Sequence, residues 1–118
     1  MVCHALKCIR IQKKKKSHKF IKCIDTLENM LPYIAEYLGT FFFVLAIFSS
    51  GGNPLIIGGA LALVIFLTAP ISSGNINPAV SLGMFLNNQL SMNKFLGYVV
   101  AQLLGGASAY YTYRMAKH

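Results

Sequence analysis

The sequence predicts an all-α membrane protein with three transmembrane helices and one additional short helix. Of its 118 residues, 55% are hydrophobic and only 12% are charged, a balance typical of membrane proteins. Three apolar runs each approach the ~20 residues that cross a hydrocarbon core ~30 Å thick. The Lys and Arg residues are concentrated before residue 23. We therefore expect a basic cytosolic tail over residues 1–29 and a transmembrane domain over residues 30–118.

The tail is polar and strongly basic, and we expect it to be disordered. Its three cysteines, Cys3, Cys8 and Cys23, fit no standard zinc pattern, so reduced thiols are expected and reversible lipidation is the alternative. A lysine run without an aromatic platform or a fold signature does not predict a nucleic-acid partner. Beside a membrane domain, such a tail holds the N-terminus in the cytoplasm and favours anionic lipid.

The three apolar runs extend over about residues 31–49, 54–71 and 95–113. Asn29 is the expected N-cap of the first run, and Pro32 then falls in the first turn, where proline is tolerated. An odd number of crossings places the two chain ends on opposite sides of the membrane.

A fourth apolar piece, Pro78 to Leu86, lies between the second and third runs. At ~1.5 Å per residue it would cross only about half of the membrane, as a surface segment or as a re-entrant half-helix. Asn77 is a good N-cap, and proline suits the position that follows it. With its oxygen in the cap, the Asn77 amide keeps N–H donors beside the positive end of the helix dipole. If this start lies near the bilayer midplane, it favours a neutral solute with an oxygen acceptor over a cation; otherwise it is an ordinary cap on a surface helix.

Three motifs resemble the aquaporin, or major intrinsic protein, family. The stretch NINPAVSLG over residues 75–83 matches the family signature. The stretch AEYLGTFF over residues 35–42 is similar to the first-span motif, and Ala101-Gln102 followed by Gly105 is similar to the third span. The resemblance covers about residues 31–113 and implies half of the family's inverted repeat, with three spans and a re-entrant half-helix.

This resemblance implies roles for individual residues. Asn77, Pro78 and Ala79 would form the pore motif at the constriction. Glu36 would be a buried acceptor for loop backbone, and Gln102 would support the pore helix from the third span.

Further residues follow from the same resemblance. Asn75, where many members carry His, would support the pore. Ile57 would take the second-span place in the selectivity filter, where an aromatic residue usually marks a water-selective member, so the solute stays open. Four glycines would allow close helix approach: Gly39, Gly58, Gly83 and Gly105.

The sequence also departs from the family pattern. It has one Asn-Pro-Ala motif where the family has two, and it lacks the arginine that follows the second motif. We therefore expect passive movement of water or a small neutral solute through a homo-oligomer, or together with a complementary half-channel chain. The alternative is a non-conducting half-channel that binds full-length channels. A chain beginning at Met30 would carry few charges and so permit insertion in both orientations.

Enzymatic chemistry is not expected. The transmembrane domain contains one acid, Glu36, and no serine beside an evident base. Neither a cofactor nor a metal ion is expected, and the lipid bilayer is the expected surrounding.

Overall fold

A computed structural model describes the backbone of residues 2–118 and the side chains of residue 15 and residues 17–118. Over this part of the chain the structure is all-α, without strands, which confirms the predicted class. The helices are α1 (Val2–Ser49), α2 (Pro54–Ser72), α3 (Pro78–Leu86) and α4 (Met92–Ala116). The chain divides into two compact units, Met1–Met30 and Leu31–His118.

The backbone of residues 2–30 is helical, where the sequence predicts disorder. No glycine or proline interrupts residues 1–31, so no helix breaker is present. The predicted helix start at Asn29 is wrong: Asn29 lies inside α1, and its Nδ2 donates to the carbonyl oxygen of Asp25 at 2.7 Å. The described side chains of this unit are exposed.

In the second unit, α2 begins one residue after an asparagine cap. The Asn53 Oδ1 accepts from the backbone N–H groups of Leu55 and Ile56, and Pro54 occupies the first helical position. One narrow stripe of α2 is buried, formed by Val64, Thr68 and Ser72. The four-residue spacing places these three side chains on one helix face, which packs against the rest of the unit.

The short helix α3 begins and ends at the residues that the sequence predicts. Helix α4 starts at Met92 after the Ser91 cap and is longer than predicted at both ends. One face of α4 is buried, consisting of Tyr98, Ala101, Gln102, Gly105 and Ala109.

Two segments are long and apolar enough to cross a membrane by length and composition, Ser17–Ser49 within α1 and Pro54–Ser72. Helix α4 has 25 residues, enough length to span, but it does not meet the same composition criterion. Its polar and small side chains, including Gln102, lower its hydropathy. The third span therefore remains a prediction that rests on helix length.

Candidate functional site

A buried carboxylate, Glu36, joins the elements around the loop between α2 and α3. Its side chain is 0% exposed. One oxygen, Oε1, accepts from the Ser72 hydroxyl at 2.6 Å and from the Asn75 backbone N–H at 2.9 Å. The other, Oε2, accepts from the Ile76 backbone N–H at 2.6 Å and from the Gln102 Nε2 at 2.8 Å. Glu36 thus connects α1 with α2, the loop and α4.

These four donors fill the acceptor capacity of the carboxylate, which offers about four lone-pair sites. A buried charge costs free energy unless it is paired or hydrogen-bonded. Among the side chains that the structure describes, no basic group forms a salt bridge with Glu36, so hydrogen bonds from the loop and from two helices stabilise it. An acid placed in this way fixes the path of the loop.

The loop backbone between α2 and α3 has positive φ angles at three residues. Ser73, Gly74 and Ile76 have φ angles of 72°, 63° and 55°. Such values are rare for a β-branched residue and cost about 1–3 kcal/mol where they occur. Both backbone polar groups of Ile76 are held from α1, because its N–H donates to Glu36 and its carbonyl accepts from the Thr40 hydroxyl at 3.1 Å. Glu36 and Thr40 are one helical turn apart, so one face of α1 holds the strained residue in place.

The loop leads directly into the start of α3. Asn77 has an extended backbone (φ −147°, ψ 130°), and its Oδ1 accepts from the Ala79 backbone N–H at 2.8 Å. Pro78 takes the first helical position, where its missing N–H leaves no donor unpaired. Asn77 and Ala79 are exposed on this chain, and Pro78 is half-buried. The cap uses the amide oxygen, and among the described residues no group accepts from the Asn77 Nδ2.

Ser81 ties α3 to its surroundings one turn after the cap. Its hydroxyl, 0% exposed, accepts from the Gln102 Nε2 at 2.8 Å and from the Asn75 Nδ2 at 3.4 Å. The sequence motifs assign no role to Ser81, Ser72 or Thr40. The available signal was a polar residue on an otherwise apolar half-helix, four positions after its cap.

Two of the four glycines predicted to allow close packing, Gly39 and Gly105, lie where a Cβ would meet another segment of the second unit. A Cβ at Gly39 would lie 2.5 Å from the Ile76 Cδ1 and 3.0 Å from the Val64 Cγ1. A Cβ at Gly105 would overlap the backbone carbonyl oxygen of Tyr37. Gly39 therefore leaves space for the Ile76 side chain of the loop, and Gly105 lets α4 approach the backbone of α1.

At Gly58 and Gly83 a Cβ would meet open space within this chain, so close packing at these two positions stays a prediction. Gly97 instead packs against the ring of Tyr33, a contact that the motif comparison did not indicate. The signal for it was present: small residues recur at every fourth position of α4, at Gly97, Ala101, Gly105 and Ala109. Such a stripe lets helices pack closely in membranes.

Ile57 does not join the hydrogen-bonded cluster. It lies in the first turn of α2 and is half-buried. Ser72, at the other end of α2, is 15 residues further along and so about 22 Å away. The role of Ile57 in selectivity remains a prediction. Among the described side chains, no group of three or more His, Cys, Asp or Glu residues is placed to hold a metal ion.

The apolar helices and the buried polar cluster define an all-α integral membrane protein with a short helix whose capped start is exposed. The model of the major intrinsic protein family matches residues 52–117, more than half of the chain. The chain therefore belongs to the major intrinsic protein family, as the three motifs indicate.

Several curated proteins are similar to this chain. It is 36% identical over 88 residues to the glycerol uptake facilitator protein-like 6 of Lactiplantibacillus plantarum, a match covering 68% of this chain and 41% of that protein. It is 48% identical over 48 residues to the aquaporin PIP2-7 of Arabidopsis thaliana, covering 41% of this chain and 17% of that protein. It is 36% identical over 88 residues to the aquaporin PIP1-1 of Arabidopsis thaliana, covering 61% and 31%.

The chain spans less than half of the length of these relatives. Their names describe aquaporins and an uptake facilitator and not enzymes, in line with the expectation from the sequence.

Proposed function

We propose that this chain is a component of a membrane channel that passes water or small neutral solutes passively. The observation that carries the proposal is the start of α3, where Asn77 is exposed while the loop before it is fixed by a buried carboxylate. Names of the similar proteins, an uptake facilitator and aquaporins, support the same function.

Asn77 is the residue that meets the solute in this proposal. Its Oδ1 is engaged in the helix cap, so the Nδ2 hydrogens are the polar groups that would donate to a solute. The first backbone N–H groups of α3 add the positive end of a helix dipole. A neutral molecule with an oxygen acceptor gains a hydrogen bond there, and a cation is repelled.

The remaining site residues position this donor. The Glu36 carboxylate accepts a hydrogen bond from the loop backbone. The side-chain amides of Gln102 and Asn75 both donate to the Ser81 hydroxyl of α3. Ile57 would contribute to the selectivity filter, a second constriction of the pore, and thereby select the solute. With the basic tail in the cytoplasm, α3 would enter the membrane from the cytoplasmic side.

A complete pore needs further helices opposite α3. A polar helix start at membrane depth is tolerated only against protein or a water-filled cavity. The facing elements would come from a second copy in the opposite orientation, from a complementary chain, or from further residues of a longer protein. The basic tail opposes dual orientation, whereas the sequence from Met30 has Lys94 near one end of α4 and Arg114 with Lys117 near the other.

The test is osmotic water flux in proteoliposomes, with Asn77→Asp as the matched variant. Aspartate keeps an oxygen for the cap and removes the amide donors, so α3 stays capped while the solute contact is lost. We expect flux above that of empty liposomes for the native chain and its loss in the variant. Equal flux from the two proteins, above that of empty liposomes and at equal insertion, would contradict the role of Asn77.

A second candidate function is a non-conducting half-channel that binds full-length channels. It is favoured by the same exposed start of α3, which any covering helix bundle could contact. Its signature is a native chain that inserts without flux of its own but changes the flux of a co-reconstituted full-length aquaporin.

A further inference from the structure

The helical segment from Lys15 to Met30 has two chemically different faces. Phe20, Ile24 and Leu27 follow at spacings of four and three residues, so they fall within an arc of about 60° on the helix. They are 68%, 39% and 57% exposed. These apolar side chains have no cover within the described part of the first unit.

The opposite face is polar and mainly cationic. Lys15, Lys19 and Lys22 fall together on that side, and Thr26 lies among them. All four side chains are exposed. Basic residues opposite an apolar stripe containing Phe and Leu are the pattern of a helix that lies in a membrane interface.

We propose that residues 15–30 form an amphipathic helix that binds the surface of an anionic phospholipid bilayer. The apolar stripe would enter the boundary between headgroups and acyl chains, and the lysines would contact lipid phosphates and carboxylates. The proposal does not depend on conduction by the second unit. It also goes beyond a purely topogenic tail, because it assigns an apolar contact to particular residues.

Two features favour a membrane over a second copy of the helix. The segment is covalently joined to the apolar run of residues 31–49, so a bilayer is always within reach. The apolar stripe extends from Phe20 to Leu27, little more than one heptad, whereas a coiled coil needs about three or four. A surface helix requires the chain to change direction before the span, and Pro32, which has no backbone N–H, is a residue at which helices kink readily.

Single tryptophan reporters test the proposal, because the chain contains no tryptophan. Phe20→Trp places the reporter in the apolar stripe. Thr26→Trp places it on the polar face without changing the charge, as the matched control. The full chain with either substitution is reconstituted in vesicles of phosphatidylcholine alone, or of phosphatidylcholine with phosphatidylserine, with and without brominated acyl chains.

With phosphatidylserine present, we expect the Phe20→Trp emission to shift to shorter wavelength and to be quenched by brominated lipid. The Thr26→Trp emission should remain at long wavelength and be quenched by aqueous iodide. In phosphatidylcholine alone, the two reporters should differ less in emission wavelength and in quenching by brominated lipid. High salt should reduce the same differences in the anionic vesicles. Leu27→Trp should repeat the Phe20→Trp result, which guards against a substitution that disturbs the helix.

Two results would overturn the proposal. One is equal emission and no brominated-lipid quenching for the apolar-face and polar-face reporters in every vesicle. The other is a short-wavelength Phe20→Trp emission that ignores brominated lipid and grows with the protein-to-lipid ratio, because this would assign the stripe to a second copy of the chain.

Discussion

Glu36 is the residue on which the loop geometry depends. It accepts from Ser72, from two loop N–H groups and from Gln102, and it lies fully inside the unit. An apolar side chain at this position would leave the backbone N–H groups of Asn75 and Ile76 without a partner. It would also remove one of the two acceptors of the Ser72 hydroxyl and of the Gln102 Nε2. The acid is therefore required by the hydrogen-bond inventory of the loop, whatever the solute.

Replacing Glu36 by glutamine should destabilise the second unit. Glutamine is nearly isosteric but offers one acceptor oxygen and an NH₂ group, so about two buried donors lose their partner. At ~1–3 kcal/mol for each, we expect the free energy of unfolding to fall by about 2–6 kcal/mol. The measurement is an SDS titration of the detergent-solubilised protein. Glu28→Gln, an exposed site in the first unit, is the matched control, and equal midpoints for the two variants would count against the structural role of Glu36.

Ile76 shows how a strained residue persists beside such an anchor. Its φ of 55° is unfavourable for a β-branched residue. The side chain is nevertheless 1% exposed and packs against Gly39, where a Cβ would overlap it. The local penalty is offset by packing and by bonds to Glu36 and Thr40. Because these partners are more than 30 residues away in the sequence, local propensity alone could not have predicted this conformation.

Helix bounds were predictable where capping residues are explicit. The Asn77-Pro78 pair marks the start of α3, and Asn53-Pro54 marks that of α2. The N-cap predicted at Asn29 was wrong, because an asparagine side chain can also donate to a carbonyl one turn earlier inside a helix, as Asn29 does here. Ser81 was missed because its importance comes from two amides that only the fold brings to it.

The packing of α4 on α1 gives a prediction about glycines. Gly105→Ala places a methyl group against the backbone of α1, which cannot move as a side chain can, and should destabilise by about 1–3 kcal/mol. Gly83→Ala adds its methyl group in open space and should be neutral or stabilising by up to ~1 kcal/mol in the isolated chain. Thermal unfolding in detergent, followed by circular dichroism, compares the two variants. An equal loss for both would mean that Gly83 is covered under those conditions.

The exposed side of α3 determines what the chain can do by itself. Asn77, Val80 and Leu82 are exposed in the second unit, with Val80 and Leu82 on different faces of α3. Apolar residues there could face lipid, but the polar start of the helix could not do so at membrane depth. The channel proposal therefore requires protein opposite α3.

This requirement predicts a specific crosslink. In a background in which the three native cysteines are replaced by serine, Val80→Cys should form a disulfide-linked or reagent-linked product in native membranes, because α3 faces another copy or a companion chain. Leu55→Cys is the control. Leu55 is 85% exposed in the first turn of α2, so a cysteine there measures crosslinking by random collision. A product specific to Val80→Cys with twice the mass of the chain would indicate a homo-oligomer, and one with another mass a companion. Equal yields at the two positions, or none at Val80→Cys in inserted protein, would leave α3 without a protein neighbour and would contradict a pore built around it.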